Sequence, residues 1–140
     1  MRKPRIIIFD DNATVLTMLN CYFSVMNCEV QTFDQAVLCP ACDNVYNCVN
    51  PCADIIITDF QMPRINGIDL LHHHVQRKCP INIQNKAIMS AESPDNYIDK
   101  MKGLADTYFQ KPFCVKKLNA WTQECISRSD LSQPLGNYFV

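Results

Sequence analysis

Apolar residues in this chain gather into short runs that end at a polar residue. Runs of β-branched residues without alternation are typical of strands buried on both faces, as in a parallel sheet. The pattern predicts five strands, at residues 5–9, 28–33, 54–59, 86–90 and 106–110. The second of these alternates between apolar and polar residues, so we expect it to lie nearer the periphery of the sheet.

The segments between and after the strands place apolar residues at helical spacing. Helices are predicted at residues 13–25, 68–77, 94–104 and 115–128, with a shorter one that begins at residue 35 and is interrupted at Pro40. Asn12 and Ser93 stand at N-cap positions, and Val75 is expected on the inward face of its helix. Strands that alternate with helices predict the α/β class, a doubly wound parallel sheet with right-handed crossovers.

Polar residues whose side chains can bind ions or take part in reactions follow the strands at their carboxyl ends. Asp10 and Asp11 follow the first strand, Asp59 closes the third, Ser90 closes the fourth, and Lys111 follows the fifth. Because ligands of such sheets bind at the carboxyl ends of the strands, we expect these side chains to converge. Three carboxylates, a hydroxyl and an ammonium suit a magnesium ion and a phosphoryl group, and a carboxylate can itself accept a phosphoryl group.

The stretches that carry these residues resemble the receiver domain of two-component response regulators. They are residues 7–11 (Ile-Ile-Phe-Asp-Asp), 58–67 (Thr-Asp-Phe-Gln-Met-Pro-Arg-Ile-Asn-Gly), 88–91 (Ile-Met-Ser-Ala) and 111–113 (Lys-Pro-Phe). The resemblance extends over roughly residues 4–127. It implies a flavodoxin-like doubly wound five-stranded parallel sheet with strand order 2-1-3-4-5 and helices on both faces.

The resemblance also implies a role for each acidic residue. Asp59 would be the phosphoacceptor. Asp11 would bind Mg²⁺ directly, and Asp10 would bind it directly or through water. Asp59 and the main-chain carbonyl of Gln61 would complete the protein ligands of the ion.

Further residues would respond to the phosphoryl group, again by resemblance. Ser90 would be the switch hydroxyl, and Lys111 would pair with the phosphoryl oxygens. Tyr108 stands where the family has an aromatic residue that changes rotamer. Gln61 and Glu92 occupy positions that tune the lifetime of the phosphoryl group.

The implied function is a two-component response regulator receiver that acts as a switch. A sensor histidine kinase or phosphotransfer protein would phosphorylate Asp59 in a Mg²⁺-dependent reaction, and an unidentified downstream protein would read the new conformation. The expected activity is limited to self-directed phosphotransfer and autodephosphorylation, so the chain is not expected to be a conventional enzyme. The face formed by the fourth helix, fifth strand and fifth helix would carry the signal and could form a homodimer.

A phosphatase or phosphotransferase similar to haloacid dehalogenases is the alternative from another class. Those enzymes also use an aspartate nucleophile with Mg²⁺, but they typically carry an Asp-x-Asp motif after the first strand. Asp10 and Asp11 are adjacent and lack that spacing, and no cap domain is visible in the sequence. The receiver interpretation is therefore favoured.

The composition limits the binding partners and the location that we expect for the protein. With 13 basic and 14 acidic residues, the net charge of −1 does not indicate direct binding to nucleic acid or to an anionic membrane. No apolar run approaches the roughly 20 residues of a membrane span. The first apolar run ends at Asp10 and is too short for a signal peptide, so a cytoplasmic location is expected.

Nine cysteines are unusual for such a chain, and four fall close together at Cys39, Cys42, Cys48 and Cys52. An odd number without a secretion signal argues against a disulfide scaffold. Four thiolates with the spacing C-x2-C-x5-C-x3-C suit zinc or an iron–sulfur cluster. Reduced thiols and a redox-responsive disulfide pair are the alternatives, and a metal or redox sensor built on a receiver scaffold could coexist with phosphorylation.

The domain organisation predicted from these patterns is simple. Residues 1–128 form the receiver domain, with a cysteine-rich insertion at 39–52, and residues 129–140 form a tail. The sequence shows no output domain after residue 128, so we expect either a stand-alone receiver or part of a longer protein. The last residues do not resemble a linker, which favours the stand-alone receiver. The three histidines at 72–74 point in different directions on a helix, so we expect a solvated face with one partly buried ring.

Overall fold

The computed structural model describes residues 1–37 and 50–136. Its centre is a five-stranded sheet in the order β2-β1-β3-β4-β5, with every neighbouring pair parallel. The strands are β1 (Arg5–Phe9), β2 (Glu29–Phe33), β3 (Ile55–Asp59), β4 (Lys86–Ser90) and β5 (Thr107–Gln110). The predicted flavodoxin-like class and strand order are confirmed.

Three α-helices are present in the described part of the chain: α1 (Ala13–Val25), α2 (Gly67–Gln76) and α3 (Val115–Arg128). Single 3₁₀ turns cover Ile83–Asn85 and Pro94–Asn96. The side chain of Asn12 accepts hydrogen bonds from the amides of Thr14 and Val15, so the predicted N-cap of α1 is confirmed. Within residues 1–37 and 50–136, no helix is both long and apolar enough to cross a bilayer.

Hydrophobic clusters cover both faces of the sheet, because successive strand residues point to opposite sides. One cluster packs β-strand residues against α2, and its strand members are Ile7, Phe9, Phe33, Ile56 and Ile88. The other packs strand residues against α1 and α3, with Ile6, Ile8, Ile55, Ile57, Ala87, Met89 and Phe109. Burial on both faces explains why β1 and β3 read as unbroken apolar runs.

The prediction of a helix at residues 94–104 is wrong. Ser93 and Pro94 start the segment as expected, but only one 3₁₀ turn forms, and hydrogen-bonded turns follow it. Tyr97 departs from helical geometry with φ of −130° and ψ of −12°. Its ring packs against those of Phe60 and Tyr108, and these tertiary contacts prevail over local helix propensity.

The inward face of α2 also differs from the prediction. Val75 is 43% exposed, whereas His74 is fully buried. His74 lies three and four residues after the buried Leu71 and Leu70, so it shares their face of the helix. His72 is exposed and His73 is half-buried, so the expected solvated face with one partly buried ring is found only in part, because the ring of His74 is buried completely.

Residues from distant parts of the chain close the amino edge of the sheet. The guanidinium of Arg2 donates to both carboxylate oxygens of Asp54, at 2.6 and 2.8 Å, and the amide of Arg5 donates to the same carboxylate at 2.8 Å. Arg2 also donates to the carbonyl of Gln133 at 2.6 Å, and the amide of Gly136 donates to the carbonyl of Pro51 at 2.9 Å. The residues after α3 therefore pack against the amino ends of the strands.

The cysteine-rich insertion is described only at its end. Cys39, Cys42 and Cys48 lie outside the described residues, so the arrangement of the four thiols is not part of the structure. Cys52 is buried, and its carbonyl accepts a hydrogen bond from Arg5 at 3.0 Å. The short helix predicted from residue 35 does not form at residues 35–37, where Ala36 and Val37 pack against the core as irregular chain.

Candidate functional site at the carboxyl edge of the sheet

The parallel strands deliver three carboxylates to one edge. Asp10 follows β1 and is fully buried, and its amide donates to the carbonyl of Phe33 at 3.0 Å. Asp59 is the last residue of β3 and is 6% exposed, whereas Asp11 faces solvent. Asp10 also accepts the amide of Asn12 at 2.8 Å, which fixes its carboxylate at the start of α1.

The three carboxylates form a compact donor set. An oxygen of Asp10, one of Asp11 and one of Asp59 all lie within 4.8 Å of one another. Hard divalent cations such as Mg²⁺ take oxygen ligands and retain several waters. The exposed position of Asp11 leaves one side of the set open to solvent, so these residues fit a hydrated divalent cation.

Lys111 supplies an ammonium to the same edge. Its Nζ contacts Asp10 Oδ2 at 2.6 Å and Asp59 Oδ1 at 3.5 Å. The amide of Lys111 donates to the carbonyl of Ser90 at 2.8 Å, and the peptide bond to Pro112 is cis. One ammonium is thus shared by two buried carboxylates, and the group retains an excess of negative charge.

This excess changes the acidity of Asp59. Burial and the negative charges of Asp10 and Asp11 together raise the pKa of its carboxyl group to about 6, although Lys111 acts in the opposite direction. A bound cation would favour the ionised form. The electrostatics and the donor set therefore both indicate a site for added positive charge.

Ser90, Gln61, Glu92 and Tyr108 form a hydrogen-bonded group beside the carboxylates. Ser90 is buried, and its Oγ accepts the amide of Glu92 at 3.1 Å. Gln61 Nε2 donates to Glu92 Oε1 at 3.1 Å, and the hydroxyl of the half-buried Tyr108 donates to the carbonyl of Glu92 at 2.8 Å. The structure thus brings together the residues that sequence reasoning assigned to this edge, whereas the cysteines were assigned to a separate site in the insertion at 39–52.

Tyr97 is a member of this group that the sequence did not reveal. Its hydroxyl donates to Glu92 Oε2. Its ring lies 4.1 Å from that of Phe60 and 6.2 Å from that of Tyr108, measured between centroids. The segment was predicted to be a regular helix, and no local signal distinguishes a tyrosine that reaches back to the preceding loop.

Gly67 has a packing role that the motif alone did not explain. It begins α2, and its amide donates to the carbonyl of Phe60 at 2.9 Å. A Cβ at this position would lie 2.4 Å from the carbonyl oxygen of Asp59. Only glycine lets α2 approach the end of β3 this closely.

Comparison with known proteins defines the class. The family model described as response regulator receiver domain matches residues 6–123 of this chain. The chain therefore belongs to the response regulator receiver domain family, the signalling domain of two-component systems.

One curated relative is the alkaline phosphatase synthesis transcriptional regulatory protein PhoP of Bacillus subtilis (strain 168). It is 25% identical over 135 residues, which cover 94% of this chain and 52% of the relative. The chain thus spans about half the length of that protein.

Solved structures agree on the fold. The receiver domain of the Francisella response regulator 1452 is 23% identical with a TM-score of 0.71, covering 91% of this chain and 100% of that chain. A receiver domain protein from Clostridium thermocellum is 24% identical with a TM-score of 0.70, covering 93% and 99%. These likenesses support the architecture of the sheet and its helices.

Proposed function

We propose that this chain is a phosphorylation-controlled signalling switch whose phosphoacceptor is Asp59. The donor is a phosphohistidine of a sensor histidine kinase or of a phosphotransfer protein. The observation that carries this proposal is the shared contact of Lys111 with Asp10 and Asp59 beside the three-carboxylate set. An acceptor oxygen, a cation-binding set and an ammonium at one edge are the parts that phosphoryl transfer requires.

The cation in this proposal is Mg²⁺. The carboxylates of Asp10, Asp11 and Asp59 would hold it together with the main-chain carbonyl of Gln61. When bound, the ion supplies positive charge that offsets the negative charge on the transferring phosphoryl oxygens. The raised pKa of Asp59 supports this assignment, because the site is otherwise short of positive charge.

Transfer moves the phosphoryl group from nitrogen to oxygen. A carboxylate oxygen of Asp59 bonds to phosphorus, the N–P bond breaks, and its electron pair stays on the departing imidazole. Lys111 already lies 3.5 Å from Asp59 Oδ1 and would then pair with a phosphoryl oxygen. The hydroxyl of Ser90 would donate to another, while Gln61 and Glu92 would tune the lifetime of the product.

The output follows from movement of the Ser90 loop and of Tyr108. New charge at Asp59 would bias two arrangements of the surface formed by residues 94–104, β5 and α3. A downstream protein would read that surface, which could also form a homodimer. In this proposal residues 1–128 form the receiver domain and residues 129–140 a tail, and the switch acts in the cytoplasm. Zinc or an iron–sulfur cluster at the cysteine-rich insertion stays a prediction.

Intact mass after incubation with acetyl phosphate, with and without Mg²⁺, tests the proposal. We expect a Mg²⁺-dependent gain of one phosphoryl group that is absent in Asp59→Asn. Asp69→Asn, which removes an exposed carboxylate on α2, is the matched control and should label like the wild type. Labelling of the Asp59→Asn protein to the same extent would contradict the assignment.

A further inference from the structure

Glu92 lies in a loop, yet both its side chain and its main chain make hydrogen bonds to other residues. Gln61 Nε2 and the hydroxyl of Tyr97 each donate to one oxygen of its carboxylate. Its amide donates to Ser90 Oγ at 3.1 Å, and its carbonyl accepts from Tyr108 at 2.8 Å. Side-chain and main-chain contacts together fix the loop that runs from Ser90 to Glu92.

Tyr97 is the more buried of the two side chains that donate to the Glu92 carboxylate. It is 7% exposed, and its ring contacts the rings of Phe60 and Tyr108. Gln61 is exposed, so its hydrogen bond competes with water and contributes less. Phe60 directly follows Asp59, and its amide donates to the carbonyl of Met89 at 2.9 Å. The Tyr97 ring therefore rests on the residue next to the phosphoacceptor.

We propose that Tyr97 is a positioning residue that restrains the Ser90–Glu92 loop and must release Glu92 before the Ser90 hydroxyl can reach a phosphoryl group on Asp59. The reason is covalent and geometric. Ser90 and Glu92 are two residues apart, and the Ser90 hydroxyl accepts the amide of Glu92. A shift of Ser90 toward Asp59 therefore displaces Glu92 from its contact with Tyr97. This inference rests on the proposed function.

A contact that is present in only one of two arrangements of a loop shifts the equilibrium between them by the free energy of that contact. The hydrogen bond from Tyr97 ends on a carboxylate, which makes it stronger than a bond between neutral groups. Replacing tyrosine by phenylalanine removes that bond and keeps the ring stack. The arrangement in which Ser90 lies next to Asp59 should therefore be populated about tenfold more than in the wild type.

The rate of Asp59 phosphorylation by acetyl phosphate with Mg²⁺ tests the restraint. We expect Tyr97→Phe to label about tenfold faster than the wild type. Tyr22→Phe makes the same chemical change on α1, away from Glu92, and should label at the wild-type rate. In a Glu92→Ala background, Tyr97→Phe should have no further effect, because the acceptor is gone. A rate equal to or slower than that of the wild type would overturn the proposal.

A second measurement does not depend on phosphorylation. Amide hydrogen exchange of Glu92, followed by NMR without Mg²⁺ or donor, should be about tenfold faster in Tyr97→Phe than in the wild type or Tyr22→Phe. Unchanged exchange would overturn the restraint even if labelling rates differed. If the wild type takes no phosphoryl group, the proposed function fails, and the exchange data alone decide whether Tyr97 holds the loop.

Discussion

Strand β3 has a buried carboxylate at each end, and the two have opposite surroundings. Asp54 immediately precedes the strand and is 7% exposed, while Asp59 closes it and is 6% exposed. Asp54 accepts two hydrogen bonds from Arg2 and one from the amide of Arg5. Asp59 lies beside two other carboxylates and shares the ammonium of Lys111 with Asp10.

Buried carboxylates therefore serve two different purposes at the two ends of β3. At the amino edge the partners come from the chain itself, so the pair holds the termini against the sheet. At the carboxyl edge an excess of negative charge is left, and a bound cation is expected to balance it. Perturbed acidity of this kind is typical of functional sites rather than of structural ion pairs.

Glycines at the two edges provide the largest expected contrast. In Gly67→Ala the new Cβ would lie 2.4 Å from the Asp59 carbonyl oxygen, so α2 or the end of β3 must move. We expect a loss of about 3 kcal/mol in the free energy of unfolding. In Gly136→Ala the nearest atom, the carbonyl oxygen of Asn50, is 3.3 Å away, and about 0.5 kcal/mol is expected. Urea denaturation of both variants checks this, and equal losses would contradict it.

Removal of the Arg2 side chain tests the structural role of Asp54 at the amino edge. Arg2→Ala leaves a buried carboxylate with one of its three hydrogen bonds. We expect a loss of about 2–3 kcal/mol in urea denaturation, because an uncompensated buried charge is costly. Lys3→Ala removes an exposed cation one residue away and should change stability by less than about 0.5 kcal/mol. A similar loss in both variants would mean that Asp54 does not depend on its partner.

Much of the carboxyl edge was predictable because the rule behind it is local. Strands β1, β3 and β4 are apolar runs, and parallel pairing brings their polar carboxyl-terminal residues together. The partner of Asp54 was not predictable, because nothing near Asp54 in sequence indicates an arginine 52 residues earlier. Tyr97 was missed for the same reason, since its contacts are tertiary. The complete burial of His74 was not predicted, because histidine is usually counted as polar even on the inward face of a helix.

The acidity of Asp59 predicts an unusual dependence of stability on pH. Its pKa is about 6 in the folded protein, against an ordinary 3.8, so the folded state binds protons more tightly than the unfolded chain. The stability that Asp59 contributes is fully present below pH 3.8 and is lost as pH rises through about 6.

Comparison with Asp59→Asn isolates this effect. In the presence of a chelator, the variant should be more stable than the wild type by about 2–3 kcal/mol at pH 7, and the difference should vanish near pH 4. Urea denaturation at several pH values measures it. A variant that is less stable than the wild type at pH 7 would show that Lys111 already balances the site.

Substitution of Asp11 tests whether only the buried carboxylates at this edge lower the stability through their excess negative charge. Its side chain is exposed, so water already solvates its charge, and Asp11→Asn should change stability without metal by less than about 0.5 kcal/mol. Its oxygen nevertheless lies within 4.8 Å of those of Asp10 and Asp59. Loss of this ligand should weaken Mg²⁺ binding about tenfold, which lowers the stabilisation at high Mg²⁺ by about 1.4 kcal/mol. Asp34→Asn, an exposed carboxylate after β2, should keep the full Mg²⁺ effect. If Asp11→Asn without metal stabilised the protein as much as Asp59→Asn, solvent would not be screening Asp11, and the contrast between buried and exposed carboxylates at this edge would fail.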